Sequence, residues 1–273
     1  DPAETCGGRH WSNNYYDFPH NIAQAFMMTG SEFNIETGLA HVTHMGDLDH
    51  SNTTGASRTC PGYGNFGDYT SCTIGYSGSS NHYKAMGFFD WSNILGEPIL
   101  AEVGLRVVEW ARGYVGGQIR APAHVLEALV AAYAYTNDPS DLSDANGAYT
   151  AFGLEGNFSE QPFQQAEIGE AFLWHLVEEP TSAIGNRSLE KWADHWSGVY
   201  DPTGNTFGDY PDLAGGYLGG LGSAATLFPA TRANYMNVLR DLWTAWAGPY
   251  GAAGDGRLKT FTQKFKAPPH FFK

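Results

Sequence analysis

The run Ser79-Ser80-Asn81-His82-Tyr83, taken together with Arg120, holds the side-chain types that one particular reaction needs. Breaking a 4-linked uronic acid chain by β-elimination requires three groups: one that neutralises the sugar carboxylate, a base of near-neutral pKa that takes the C5 proton, and a phenol or imidazole that protonates the departing oxygen. Asn81 or Arg120 can hold the carboxylate, and His82 and Tyr83 are the right types for base and acid. A histidine needs little tuning to work near pH 7, which makes His82 the leading base. Neighbouring residues on a helix point about 100° apart, so if His82 and Tyr83 face different ways, Tyr15, Tyr16 or Tyr63 supplies the phenol instead.

Two further groups of residues invite other chemistry. His44, Asp47, Asp49 and His50 have metal-ligand types, and such an oxygen-rich mixture suits a divalent cation such as calcium, but their spacing matches no strong motif and equally suits a capping cluster. Glu127, Glu167 and Glu170 fall on apolar helical runs, where a pair of carboxylates can serve a glycoside hydrolase.

The elements that must position these residues are helices in pairs. The first pair covers 19–28 and 32–45, joined by Thr29-Gly30-Ser31, with Pro19 in a first turn and Asp17 near the N-cap. A loop rich in Gly, Ser, Thr and Tyr follows over 46–80, long enough to be a functional or covering loop. Further pairs are expected at 81–95 with 98–114, 120–135 with a partner ending near 151, 161–177 with 188–196, and 211–227 with 231–246. Leu100, Val103, Val107 and Trp110 share one face at helical spacing. First helices such as 124–135 are apolar nearly all round, as an element buried on both sides must be, whereas second helices such as 97–112 and 189–196 carry charge on one face. Pairs recurring at roughly 40 to 60 residues are the mark of a helical repeat or toroid, with first helices inside and second helices outside. If the inner helices all point one way, their N-terminal ends gather at one rim and favour anions, and His20, His82, Arg120, His124 and Gln161 all lie at or within a turn of those starts. The expected fold is therefore all-α, an incomplete (α/α) toroid of about five helix pairs over 1–247, with 248–273 as a C-terminal extension.

Composition narrows the partners. Lys and Arg number 15 against 29 Asp and Glu, a net charge of -14, which repels nucleic acid. No run of about 18 apolar residues exists to span a membrane. Eight Trp and fifteen Tyr exceed a minimal core's needs and fit flat rings stacking on sugar faces in a cleft, as well as ordinary packing. Of the three cysteines, Cys60 and Cys72 bracket a loop that one disulfide can close, leaving Cys6 unpaired. Asn52, Asn157 and Asn186 head glycosylation-acceptor triplets. The start at Asp1-Pro2, without a Met or a signal peptide, reads as a processed piece of an exported protein.

The succession Tyr16-Asp17-x-Pro19-His20, Thr29-Gly30, Gly46-Asp47-Leu48-Asp49-His50, Ser80-Asn81-His82 and Arg120-Ala121-Pro122 resembles the helical toroid of secreted polysaccharide lyases of the exo-rhamnogalacturonan lyase-like group. The resemblance covers about 15–246 and implies an incomplete toroid acting on an acidic, uronic-acid polysaccharide; the chain departs from it in lacking the β-sandwich regions such proteins carry, so that further domains or chains would complete the fold. The resulting assignment is a secreted lyase with His82, Tyr83, Arg120 and His20 as catalytic residues and Asn81, Tyr16, Tyr63 and His124 as substrate-binding ones. The alternatives are a glycoside hydrolase on plant or algal polysaccharide, and a non-catalytic glycan-binding or assembly module.

Overall fold

The computed structural model describes residues 17–46, 84–114, 120–156, 158, 162–203 and 217–247, with the main chain alone for some of them, Arg120 and His44 included. These residues form ten α-helices: α1 (Phe18–Thr29), α2 (Glu32–His44), α3 (Met86–Leu95), α4 (Pro98–Arg112), α5 (Arg120–Thr136), α6 (Pro139–Ala151), α7 (Pro162–Glu178), α8 (Ala183–Val199), α9 (Tyr217–Leu227) and α10 (Arg232–Ala247). No β-strand occurs among the described residues. The chain divides into two compact units, Asp1–Asp144 and Ala145–Lys273.

Local signals set the helix ends. Asp17 caps α1, its carboxylate accepting the His20 N–H at 3.3 Å, and Pro19 sits in the first turn, where its missing N–H costs nothing. Gly30 and Gly96 close α1 and α3 in the left-handed conformation, at φ 65° and 70°, which L side chains rarely adopt. Two starts differ from expectation. α8 begins at Ala183 rather than near 188, because the Ser182 hydroxyl accepts the Gly185 N–H and nucleates the helix earlier. α3 begins at Met86 rather than at 81. Its cap comes from elsewhere: the second carboxylate oxygen of Asp17 accepts the Gly87 N–H at 3.2 Å, so one aspartate satisfies the starts of two helices.

In the first unit α1 packs on α2 and α3, α3 on α4 and α5, and α4 on α5. In the second, α7 packs on α8 and α9, and α9 on α8 and α10. Odd-numbered helices thus run against the next odd-numbered helix of their unit, with the even-numbered ones laid outside. Burial follows the same division: every residue of α5 from 121 to 130 is buried, whereas α4 buries Ala101, Val103, Gly104, Val107, Val108 and Ala111 and leaves Glu102, Leu105, Arg106 and Glu109 exposed. The inner and outer helices expected from sequence are those observed.

One buried tryptophan keys each unit. Trp91 of α3 donates its indole N–H to the Pro19 carbonyl at 2.8 Å and lies against Gly38 of α2, where an added Cβ would fall 1.7 Å from the ring. Trp192 of α8 donates to the Gln165 carbonyl at 2.8 Å and lies between Gly169 of α7 and Gly220 of α9, where added Cβ atoms would fall 2.4 Å and 2.6 Å from the ring. An indole buries about 200 Å², worth roughly 5 kcal/mol at about 25 cal/mol per Å², and it does so only because glycine leaves the helix surface flat.

Candidate active site

Two inner helices of the first unit, α1 and α3, start side by side. Asp17 ties the first turn of α1 to that of α3, and the Trp91 indole ties α3 back to Pro19. Lys84, two residues before α3, reaches α5: its Nζ lies 2.8 Å from Glu127 Oε2, with the two side chains 2% and 6% exposed. Residues 120, 124 and 127 stand at i, i+4 and i+7 on α5, hence along one face. The ion pair therefore brings the lead-in to α3 onto the α5 face that carries Arg120, His124 and Glu127.

His20 lies in the first turn of α1 and is buried. Its Nδ1 is 2.5 Å from the Asp90 carboxylate of α3, and its Nε2 is 2.9 Å from the side-chain nitrogen of Gln24. A carboxylate only accepts, so Nδ1 donates to Asp90. His124 is fully buried within α5, one turn from Arg120.

Of the other sequence-predicted residues, Arg120 opens α5, and its main chain alone is described. Asn81, His82, Tyr83, Tyr16 and Tyr63 lie outside the described residues, as do Tyr15, the three cysteines, the loop over 47–80 and the segment 248–273. Asp47, Asp49 and His50 lie outside them too, and among the described residues no group of three or more His, Cys, Asp or Glu is placed to hold a metal. Glu127 is engaged by Lys84, while Glu167 and Glu170 are buried on α7. Sequence reasoning missed Lys84, Asp90 and the bifunctional cap made by Asp17. The available signal for Lys84 was its position, a single lysine between His82-Tyr83 and the apolar run Ala85-Met86-Gly87-Phe88-Phe89.

The second unit holds a different polar cluster, at the C-terminal end of α7. The Tyr149 hydroxyl of α6 donates to His175 Nδ1 at 2.7 Å, and His175 Nε2 lies 3.2 Å from Glu179, whose carboxylate also accepts from Asn146 at 2.9 Å. Burial lowers the His175 pKa, against an opposing pull from Glu179, and burial raises the Tyr149 phenol well above its usual value. Both groups stay neutral at pH 7 and are closed to solvent.

No family model and no curated protein matches this sequence. A solved structure of a polysaccharide lyase does match in fold, at a TM-score of 0.66 and 11% identity, over 97% of this chain and 91% of that one. The described residues are all-helical, consistent with the helical toroid fold of that structure. No helix among the described residues is long and apolar enough to cross a membrane.

Proposed function

We propose that the protein is a polysaccharide lyase that cleaves a uronic-acid-containing polysaccharide by β-elimination outside the cell. The observation that carries this reading is the Lys84–Glu127 pair, which seats the residue following Asn81-His82-Tyr83 on the α5 face headed by Arg120. Lys84, the described residue next to that run, supports a site in which the run lies near α5. The fold shared with a solved polysaccharide lyase supports the same class.

In this mechanism the substrate carboxylate lies at the N-terminal end of α5, where unpaired N–H groups and the helix dipole favour an anion and Arg120 or Asn81 adds a charge-matched donor. Neutralising that carboxylate makes the C5 proton acidic enough for His82 to remove. The electron pair forms the C4–C5 double bond, the C4–O bond breaks, and Tyr83 gives its proton to the leaving sugar oxygen. His20, hydrogen-bonded to Asp90, stands in the first turn of α1, and Tyr16 and Tyr63 complete the sugar contacts. A cation such as calcium, held by His44, Asp47, Asp49 and His50, and further domains or chains around the cleft remain part of this proposal.

The test is incubation with a panel of acidic polysaccharides while ultraviolet absorbance is followed. A lyase yields an unsaturated uronide that absorbs. New reducing ends without absorbance would replace the reading by glycoside hydrolysis, and binding without either product by a glycan-binding module.

A further inference from the structure

We propose that Tyr149, His175 and Glu179 form an acid-operated latch: a second proton on His175 breaks its bond to Tyr149 and releases residues 145–156, the second half of α6 and the turn after it, while the core of the second unit stays folded. The latch stands apart from the lyase reading and uses none of its residues.

The released segment has little helix strength of its own. The run Ala145-Asn146-Gly147-Ala148-Tyr149-Thr150-Ala151 carries a mid-helix glycine, which costs about 1 kcal/mol against alanine, and asparagine and threonine are weak helix formers too. Ala145, Ala148 and Tyr149 are its buried residues. Two hydrogen bonds tie it to the end of α7: the Tyr149 hydroxyl donates to His175 Nδ1 at 2.7 Å, and the Asn146 side chain donates to Glu179 at 2.9 Å. A segment with so few buried apolar groups lies at the low end of local stability, and its ties decide whether it stays closed.

The Tyr149 bond needs one protonation state of His175. With its proton on Nε2, toward Glu179, the ring accepts the hydroxyl at Nδ1. An imidazolium has protons on both nitrogens, so two donors would face one another across that contact. The phenol oxygen could then accept only by turning its own proton away, and Tyr149 is 1% exposed with no second hydroxyl partner among the described residues. A buried donor would be stranded. Nδ1 also faces the first turn of α8, where a Cβ on Gly185 would fall 3.0 Å from it, and a helix N-terminus repels a cation. Glu179, whose side chain is 32% exposed, attracts the imidazolium toward solvent. A proton therefore drives the ring outward, off Tyr149. No other charge competes for it: Glu178 responds to burial alone, Arg187 of α8 is engaged by Glu155, Asp141 and Asp144 of α6 by Arg112, and α9 has no ionisable residue after Tyr217. Burial holds the His175 pKa below 6.5, so the latch is closed at pH 7 and opens on acidification.

The experiment follows amide hydrogen exchange in the full chain from pH 7 downward past 6.5, each rate divided by that of an unstructured peptide at the same pH. Protection over 148–156 should fall at least about tenfold while protection over 221–225 of α9 stays within about threefold, and the fall should share its midpoint with the His175 imidazole titration read by NMR. His175→Gln, which does not titrate, should remove the fall. Tyr149→Phe should already show at pH 7 the low protection that the parent reaches in acid. Protection over 148–156 that persists until 221–225 is lost with it, a midpoint different from that of His175, or an undiminished fall in His175→Gln overturns the proposal. If His175→Gln fails to fold, Tyr149→Phe decides, and parental protection over 148–156 at pH 7 overturns it.

Discussion

The two units solve the same packing problem and then diverge in where they put buried polarity. Each sets a tryptophan against glycine and returns its indole N–H to a carbonyl in the first turn of an inner helix. The first unit then gathers buried polar pairs beside the starts of α1 and α3, through the His20–Asp90 hydrogen bond and the Lys84–Glu127 ion pair, the latter reaching about two turns into α5. The second places a hydrogen-bonded chain of Tyr149, His175 and Glu179 at the C-terminal end of α7. Helix N-termini stabilise anions and C-termini do not, so on the proposed function a carboxylated substrate suits the helix starts of the first unit. Buried polar groups of similar number can therefore mean different things, and the helix end they occupy separates them.

The hardest way to break this contrast is to exchange the functional weight of the two clusters. His82→Ala should lose at least about a hundredfold in kcat, while Tyr149→Phe should leave kcat within about threefold, both read from ultraviolet absorbance on a cleaved polysaccharide. The reverse order would move the site to the second unit. In stability, removing one member of the buried pair is the next largest effect: Lys84→Ala should cost about 3–5 kcal/mol in urea denaturation, because it takes away the cation that offsets the buried Glu127 charge. A cost below about 1 kcal/mol would mean that water reaches the pair. Gly169→Ala tests the shared tryptophan device and should cost about 1–3 kcal/mol, since the added Cβ meets the Trp192 ring rather than a flexible side-chain end.

The smallest effect is a pH dependence confined to the second unit. The folded-state pKa of His175 is lowered, so the unfolded chain binds the proton more readily. The stabilisation is complete above the ordinary imidazole value of 6.5 and is lost as the pH falls through the lower folded value. Melting temperature should therefore drop as the pH falls below about 6.5, and His175→Gln should flatten that part of the curve while lowering its plateau. An unchanged slope in the variant would assign the acid sensitivity to other groups.

How much of this was legible in sequence depended on range. The α1–α2 hairpin was written locally, in the Asp17 cap, Pro19 and the Thr29-Gly30-Ser31 turn, and the structure places each of them as read. The apolar α5 and the amphipathic α4 were legible as inner and outer for the same reason, since periodicity is a property of neighbours. The site's supports were not. His20 and Asp90 are 70 positions apart, and Lys84 and Glu127 are 43 apart, so no local pattern announces either pair. Glu127 was noticed as a carboxylate on an inner helix, but its cationic partner could come only from the folded chain. The start of α3 was misplaced for a related reason, because the group that caps it sits on α1. His175 and Glu179 stand at i and i+4 and were open to recognition by spacing, whereas Tyr149 was not.

The position of Trp192 between Gly169 and Gly220 has a consequence for chemical control of the protein. Trp192→Gly would leave a flat, apolar slot of indole shape, bounded by two helix backbones and keeping the Gln165 carbonyl as an acceptor at its end. Apolar voids of this kind take up small aromatic molecules from solution, and whatever binds the folded state alone stabilises it by mass action. Added indole should then raise the melting temperature of Trp192→Gly and leave the parent unmoved, while benzene, lacking the N–H, should do so less. The second unit would become a module whose folding answers to an external aromatic.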